Sequence, residues 1–269
     1  MNPADSTPST TLPVLEVRHL RKTFGAREVL GDISFQVEPG AVLSVLGRSG
    51  TGKSVLLKCV VGLLERDHGE ILFRGQSLES RAALQALRQA SSYVFQQNAL
   101  FDSATVFENV LLPLRARNAG EEELWPQRVK EVLQRLELDD AADRYPAELS
   151  GGMQKRLAVA RALVTEPELV FFDEPTAGLD PLRRNAVFSL IARLQRERRF
   201  TAVLVTHDVQ EALVVSSHVL WLDAGKVQFD GLAETFASAG EAPLVEFRDN
   251  IQALRESLRS IGTSSPNHS

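Results

Sequence analysis

The sequence is poor in cysteine and has no long apolar run. One cysteine, Cys59, occurs among 269 residues, so no disulfide bond can form within the chain. It falls on the apolar face of a predicted helix, which is typical of a buried core thiol and fits a reducing compartment. Nowhere do about 18 apolar residues follow one another, as a membrane-spanning helix requires. If the protein works at a membrane, the membrane-spanning part is expected on another chain.

An excess of basic residues is also missing. The formal net charge is −5 and the sequence pI is about 5.6, which argues against the domain-wide basic surface of a nucleic-acid-binding protein. We therefore predict no nucleic-acid partner. Residues 1–13 are polar and lack the apolar segment of a signal peptide. They are predicted to be a disordered tail, as are residues 263–269.

Short apolar runs alternate with helical segments over most of the chain. This alternation is typical of a parallel sheet covered on both faces, so the fold class is predicted to be α/β. The stretch from about 100 to 165 is mostly helical and is predicted to be a subdomain inserted into this core. Strands are predicted at 14–17, 33–37, 42–46, 70–73, 91–95, 169–172, 201–206 and 219–222, and later helices at 181–198 and 208–216.

The segment GRSGTGKS, residues 47–54, fits the phosphate-binding P-loop pattern G-x-x-x-x-G-K-[ST]. A β-prone run precedes it and a helical run follows it, which points backbone N–H groups and a helix N-terminus at phosphate. Lys53 is expected to reach the β- and γ-phosphates of a nucleotide, and the Ser54 hydroxyl to bind Mg²⁺. A chance glycine-rich turn is the alternative, which the flanking strand and helix disfavour. The predicted phosphate-binding residues are Gly47, Ser49, Gly50, Thr51, Gly52, Lys53 and Ser54.

An apolar strand further along the chain ends in two carboxylates, Asp173 and Glu174. In P-loop enzymes the first acid after such a strand holds Mg²⁺, which assigns Asp173 to the metal. Glu174 is then a candidate base for the water that attacks the γ-phosphate. An acidic turn without chemistry before Pro175 is the alternative, and the presence of a P-loop makes it the weaker one.

A second phosphate-binding feature is predicted at Ser150, Gly151 and Gly152, which precede a good helix at 155–164. Ser150 is a suitable N-cap, and the glycines allow close approach to the backbone. A helix N-terminus of this kind favours an anion. Two separate phosphate sites in one chain require either two nucleotides or two copies of the chain.

Taken together, the P-loop, LSGGM at 149–153, FFDEP at 171–175 and THD at 206–208 resemble the ATP-binding subunits of ABC transporters. The resemblance covers about residues 14–232 and implies an ATPase that binds ATP and Mg²⁺. It also implies a P-loop NTPase core with a mixed sheet, an antiparallel β subdomain and an inserted helical subdomain. The implied partners are a second copy of the chain and a membrane permease, at the cytoplasmic face of the inner membrane.

The resemblance assigns further roles by position. Phe24 matches the aromatic residue that stacks on adenine, and Gln96 matches the Q-loop glutamine that senses Mg²⁺ and the attacking water. Asp180 matches the D-loop aspartate that acts across the dimer. His207 matches the switch histidine that contacts the γ-phosphate, although alone it would more often be a structural histidine at a strand end. Two subunits would pair head to tail, each P-loop facing residues 150–152 of the other.

A narrower resemblance links three short segments, at 55–58, 98–110 and 242–247, to the ATPases of MCE-type, maintenance-of-lipid-asymmetry (Mla) systems. Those systems move phospholipids between the inner membrane and the outer envelope. The resemblance implies an MCE-domain protein and a STAS-like protein as additional partners. The alternatives are a small-solute importer, such as one for amino acids, a soluble ABC ATPase of DNA repair or translation, and an unrelated P-loop kinase.

Two surfaces are predicted for protein contacts. The segment after Gln96 carries Phe101, Val106 and Phe107, which are expected on the surface and available to the permease. Near the C-terminus, apolar residues spaced three and four apart predict an amphipathic helix within an extension at 233–262. This helix would pack on the chain's own body or on a partner. Its apolar residues are Leu244, Phe247, Ile251, Leu254, Leu258 and Ile261.

Overall fold

The computed structural model describes residues 12–236 of the chain. The predicted terminal tails lie outside the described residues except for residues 12 and 13. The amphipathic C-terminal stripe lies entirely outside them, and the extension predicted from residue 233 is described only to residue 236. Within the described part, no helix is both long enough and apolar enough to cross a membrane.

Residues 12–236 form ten strands and eight α-helices, numbered in chain order, with short 3₁₀ turns between some of them. The strands are β1 (Leu15–Phe24), β2 (Arg27–Val37), β3 (Val42–Leu46), β4 (His68–Phe73), β5 (Gln76–Ser77), β6 (Ser91–Val94), β7 (Leu169–Asp173), β8 (Thr201–Thr206), β9 (His218–Asp223) and β10 (Lys226–Leu232). The helices are α1 (Lys53–Val60), α2 (Arg81–Ala90), α3 (Val106–Arg117), α4 (Trp125–Arg135), α5 (Gly151–Leu163), α6 (Pro181–Arg198), α7 (Val209–Val215) and α8 (Ala233–Phe236).

A six-stranded sheet forms the centre of the molecule, in the order β10-β9-β3-β8-β7-β6. Its strands run parallel apart from the antiparallel pair of β9 and β10. Every residue of β3, β7 and β8 is buried, and most are apolar, as expected for strands covered on both faces. The predicted parallel sheet is confirmed, and the antiparallel edge strand makes it a mixed sheet.

The parallel strands deliver the predicted site residues to one edge of this sheet. The strand β3 leads into the P-loop, β7 into the acid pair and β8 into His207. The register pairs Leu46 with Thr206 and Asp173 with Val205. Because the carboxyl ends of parallel strands lie at the same edge, these three segments leave the sheet side by side.

A second, antiparallel sheet has the order β2-β1-β4-β5. Its inward side chains share one hydrophobic cluster with α1 and the central strands. Cys59 of α1 is 2% exposed in this cluster, which confirms the predicted buried thiol. The sheet therefore covers the core beside the P-loop helix.

The stretch predicted to be mostly helical contains α3, α4 and α5, and α3 contacts both of the others. The predicted exposure of Val106 is wrong, because its side chain is fully buried in the cluster that these helices form. Thr105 and Glu108 make a capping box that starts α3 at Val106 and fixes which face turns inward. Phe107 is half-buried against the same cluster, whereas Phe101 is 52% exposed.

The loop before α3 is fixed by one buried amide side chain. The Asn109 side-chain oxygen accepts from the Phe101 N–H at 2.9 Å, and its nitrogen donates to the carbonyls of Phe101, Ala104 and Thr105 at 3.0 Å each. A fully buried amide with these partners orders the backbone around it. Phe101 is therefore held at the surface by an anchored loop.

Candidate active site

Three glycines of the P-loop hold backbone conformations that other residues avoid. The φ angles are 155° at Gly47, 80° at Gly50 and 97° at Gly52. A Cβ atom at Gly47 would lie 2.1 Å from the carbonyl oxygen of Leu222, and one at Gly52 would lie 3.0 Å from Val29. At Gly50 a Cβ atom would meet nothing within 4 Å. The loop is thus pressed against its own strands and open on its outer side, which fits a bound phosphate chain.

Lys53 is buried beneath this loop. Its Nζ donates to the carbonyl oxygens of Gly47 and Arg48 at 2.9 Å each, and lies 3.9 Å from Oε1 of Glu174. Burial lowers the pKa of Lys53, whereas Glu174 and Asp173 act in the opposite direction. The ammonium group is therefore held between the loop and the acid pair, as expected of a group that contacts the γ-phosphate.

Ser54 and Asp173 form the candidate magnesium site. The Ser54 hydroxyl donates to Oδ1 of Asp173 at 2.6 Å, and the Tyr93 hydroxyl donates to Oδ2 at 2.9 Å. Burial, together with Asp173, raises the pKa of Tyr93, so its hydroxyl stays a donor. No group of three or more His, Cys, Asp or Glu side chains suited to a metal occurs within residues 12–236. One carboxylate and one hydroxyl suit Mg²⁺, which takes few protein ligands and is otherwise bound by phosphate and water.

Glu174 and His207 form a hydrogen-bonded pair at the same edge. Oε2 of Glu174 lies 2.8 Å from Nδ1 of His207, and their side chains are 10% and 50% exposed. Glu174 has a left-handed φ of 48°, and its N–H donates to the carbonyl of Val205 at 2.9 Å. A non-glycine residue in this conformation is strained, and strain of this kind is concentrated at functional sites. The turn leaves the carboxylate between Lys53 and His207.

Gln96 is exposed just beyond β6, and the helix α5 binds its backbone. Lys155 of α5 is buried and donates from Nζ to the carbonyl of Gln96 at 2.7 Å. Arg161 of the same helix donates to the carbonyls of Asn98 and Ala99 at 3.1 and 2.5 Å. Burial lowers the pKa of Lys155. Two cations of one helix thus hold the Q-loop backbone, so that loop and helix are expected to move together.

The residues at 150–152 and Asp180 lie at helix N-termini. Ser150 caps α5 and Asp180 caps α6, and each side chain accepts from the backbone N–H three residues later, at 3.3 and 3.0 Å. This confirms Ser150 as an N-cap. In the described part of the chain, neither residue makes a hydrogen bond or ion pair with Lys53 or Ser54. Residues 150–152, where a second phosphate site is predicted, therefore start a capped helix that is not hydrogen-bonded to Lys53 or Ser54 within residues 12–236.

Phe24, the residue expected to stack on adenine, ends β1 and is 46% exposed. The ammonium group of Lys22 lies 5.4 Å from its ring centroid. The other face of such a ring suits a flat aromatic ligand. The structure thus supplies an accessible ring, and its role remains a proposal.

Two side chains at the site, Tyr93 and Lys155, were not predicted from the sequence. Tyr93 lies in a predicted strand, but its contact depends on β6 lying next to β7, with Tyr93 in register with Phe171. Lys155 follows the glycines of residues 151 and 152 and stands among buried positions of α5. A lone lysine on an apolar helix face is the signal that would have indicated it.

Comparison with known proteins gives the family. The family model described as ABC transporter matches residues 30–177, more than half of the chain. The chain is 38% identical over 234 residues to a sulfate/thiosulfate import ATP-binding protein from Cucumis sativus, covering 86% of this chain and 66% of the relative. It is 36% identical over 219 residues to the spermidine/putrescine import ATP-binding protein PotA from Haemophilus influenzae, covering 81% and 58%. The chain thus spans about two thirds or less of these relatives.

Solved structures give the same fold. The dimeric structure of MJ0796, a bacterial ABC transporter cassette, is 30% identical, with a TM-score of 0.74 over 81% of this chain and 98% of that chain. The expected α/β fold, with a mixed sheet, an antiparallel sheet and a helical insertion, is confirmed. With the P-loop, acid pair and histidine assembled at one sheet edge, the chain belongs to the ABC transporter family and carries the ATP-hydrolysing domain of that family.

Proposed function

We propose that this chain is the ATP-hydrolysing subunit of a membrane transporter and that it acts as a pair of copies. The observation that carries the proposal is the contact set at one sheet edge. Glu174 lies 3.9 Å from Lys53 and 2.8 Å from His207, and Ser54 lies 2.6 Å from Asp173. Glu174 can act as the base, Lys53 and His207 can contact phosphate oxygens, and Ser54 with Asp173 can hold Mg²⁺. Together these groups suit transfer of the γ-phosphoryl group to water.

In the proposed reaction Glu174 accepts a proton from the attacking water as the new P–O bond forms. The bond from the γ-phosphorus to the bridging oxygen breaks, and ADP leaves with that oxygen. The Lys53 ammonium and the His207 ring stabilise charge on the γ-phosphate oxygens. Mg²⁺ bound by Ser54 and Asp173 would neutralise charge on the β- and γ-phosphates.

The second copy supplies the residues that one chain leaves exposed. Ser150, Gly151 and Gly152 of one copy face the P-loop of the other, where the α5 N-terminus binds the γ-phosphate. Gln96 contacts the metal and Asp180 acts across the interface, while Phe24 stacks on adenine. The exposure of these groups and the dimeric structure of the MJ0796 cassette support this arrangement.

The catalytic proposal is tested by replacing Glu174 with Gln, which keeps the shape and removes the base. We expect ATP affinity to be retained and turnover to fall by about 100-fold or more. Glu168→Gln is the matched control, because Glu168 directly precedes the same strand and pairs with Arg74 away from the site. Wild-type turnover of Glu174→Gln in the assembled complex would exclude the proposed base.

The permease contact is proposed at the loop that presents Phe101, on the cytoplasmic face of the inner membrane. Phe101 is exposed, anchored through Asn109 and covered on one side by the guanidinium of Arg161 at 5.7 Å. Phe101→Asp is expected to reduce co-purification with the permease, and Leu124→Asp, at another exposed site, is not. Phe107→Asp is a poor test because Phe107 packs on the core.

For the cargo, the relatives favour a small solute. Their names give sulfate or thiosulfate import and spermidine or putrescine import, which supports an importer of this general class. Phospholipid transport, with MCE-domain and STAS-like partners, is the second candidate. It rests on the segments at 55–58, 98–110 and 242–247, of which the last lies outside the described residues.

A deletion strain separates the two cargoes. A small-solute importer predicts a nutritional defect, with reduced uptake of one solute and an intact envelope. Phospholipid transport predicts detergent sensitivity and abnormal phospholipid at the outer surface, with normal solute uptake. Restoring the strain with the Glu174→Gln form should fail to correct either defect, which ties the phenotype to ATP hydrolysis.

A further inference from the structure

Asp208 is a buried carboxylate that joins three elements near the site. It is 6% exposed. Its Oδ2 accepts from the Thr176 hydroxyl at 2.8 Å, and its Oδ1 lies 2.7 Å from a terminal nitrogen of Arg184. Its backbone N–H donates to the Thr206 hydroxyl at 3.0 Å. Asp208 thus connects the turn after β7, the helix α6 and the end of β8.

The residue bound in this way is the direct neighbour of His207. Nε2 of His207 lies 3.8 Å from Oδ1 of Asp208, while Nδ1 contacts Glu174 at 2.8 Å. Half of the His207 side chain is exposed, so little packing fixes the ring. The position of the ring therefore depends on the backbone that Asp208 anchors and on the charge of the Asp208 carboxylate.

Arg184 is the link between Asp208 and the start of α6. It lies in the first turn of that helix, and its N–H donates to the carbonyl of Asp180 at 2.9 Å. Its guanidinium is held at Asp208 and lies 3.8 Å from Glu211 of α7. Its buried Nε has no hydrogen-bond partner within residues 12–236. The guanidinium thus contacts Asp208 even though this position leaves one of its own N–H donors without a hydrogen-bond partner in the described residues.

We propose that Arg184 is a positioning residue for hydrolysis, which holds His207 against Glu174 through Asp208 and so ties the D-loop end of α6 to the catalytic pair. The inference rests on the proposed function. It adds a path from Asp180, where the second copy is expected to bind, through Arg184 and Asp208 to His207. A movement at Asp180 would therefore shift the ring that is proposed to contact the γ-phosphate.

The test is a mutant cycle between Arg184 and His207 in the full chain with its membrane partner. Single-turnover hydrolysis of γ-labelled ATP keeps low rates measurable. Arg184→Gln is expected to lower the rate about tenfold with ATP affinity within about twofold, and Arg184→Lys, which keeps the charge, to lower it about threefold. In a His207→Ala background neither replacement should lower the rate further. Arg196→Gln, an exposed position on the same helix, is the matched control.

A merely structural role for Arg184 predicts a different result, namely equal losses in both backgrounds. That result, or an unchanged rate for Arg184→Gln, would overturn the inference. If Arg184→Gln does not fold, as judged by its melting temperature, Arg184→Lys is taken through the same cycle and decides in the same way. Wild-type turnover of His207→Ala would instead overturn the proposed role of His207, and this inference with it, so the two failures are distinguishable.

Discussion

The two predicted phosphate-binding features, the P-loop with its acid pair and residues 150–152, differ in how many contacts they make within their own chain. In the P-loop half, Lys53 is 5% exposed, Asp173 3% and Glu174 8%. These groups are bonded to one another or to the loop. The residues at 150–152 are exposed or half-buried, and the Ser150 side chain only caps its own helix. The P-loop and its acid pair are therefore held together by contacts within the chain, whereas the exposure of residues 150–152 fits the proposed contact with a second copy.

The glycines make the same distinction in steric terms. A Cβ atom at Gly47 would lie 2.1 Å from Leu222 of the same chain, but one at Gly151 would meet nothing closer than Leu179 at 3.8 Å. Gly152 is equally unobstructed, with Arg183 at 3.9 Å. The P-loop needs glycine in order to fold. At residues 151 and 152 the chain itself leaves room for a Cβ atom, which fits the proposed approach of a second copy.

The largest expected effect is on folding. Gly47→Ala should lower the free energy of unfolding by more than about 3 kcal/mol, because a backbone oxygen occupies the Cβ position. Gly151→Ala should leave it unchanged or raise it by up to about 1 kcal/mol, because alanine is the better helix former. Denaturant unfolding of both variants measures the difference. Equal free energies of unfolding for the two variants would show that glycine is no more necessary for folding at residue 47 than at residue 151.

The next effect is on nucleotide binding. Lys53→Ala should weaken ATP binding by about 100-fold, since charge-assisted hydrogen bonds contribute about 1.5–3 kcal/mol each. Lys58→Ala is the control, because Lys58 is an exposed lysine on the same helix. Isothermal calorimetry on the full chain measures both. Wild-type ATP affinity of Lys53→Ala would contradict the proposed phosphate contact of Lys53 at the P-loop.

The third effect concerns dimerisation through residues 150–152. Ser150→Arg should leave ATP binding by one chain intact but abolish the ATP-dependent dimer of the Glu174→Gln form, because the longer side chain fills the cradle. Ser80→Arg controls for the lost helix cap, since Ser80 caps α2 in the same way and accepts from Ala83 at 3.0 Å. Sedimentation with saturating ATP measures dimerisation. A dimer with Ser150→Arg would contradict the shared site.

The smallest effect is expected at Cys59, behind the P-loop. Burial raises the pKa of its thiol to about 11, so at pH 8 only about one thiol in a thousand is ionised. Labelling by a thiol reagent should therefore be slow in the native chain and become faster as the pH rises. The rate should stay the same in Ser150→Arg and increase in Gly47→Ala, where α1 loosens. Fast labelling of the unaltered chain would contradict the buried packing of this half.

The parts of the site that were predictable are those whose chemistry is contiguous in the sequence. The strands at 42–46 and 201–206 have the predicted bounds, because these mostly apolar runs end in turn or helix signals. The P-loop pattern and the acid pair were predictable because their residues are contiguous in the sequence. The edge strand β10 was not predicted, because its residues are half-buried or exposed and give no apolar run.

Contacts that depend on strand order or helix phase were not predictable. Tyr93 reaches Asp173 only because β6 pairs with β7, which no local pattern reveals. Val106 was misplaced because a capping box, rather than hydrophobicity, sets the helix face on which it lies. Arg184 and Asp208 meet across 24 residues of sequence, and a charged pair of this separation has no periodic signature.

The left-handed backbone at Glu174 means that replacements which raise the melting temperature would also remove the proposed catalytic base. A residue other than glycine pays about 1–2 kcal/mol for a φ of 48°, and glycine or asparagine adopts it more readily. Glu174→Gly and Glu174→Asn would therefore be enriched in any library ranked by melting temperature alone. Because position 174 carries the proposed base, a search for a more stable form of this protein has to exclude that position.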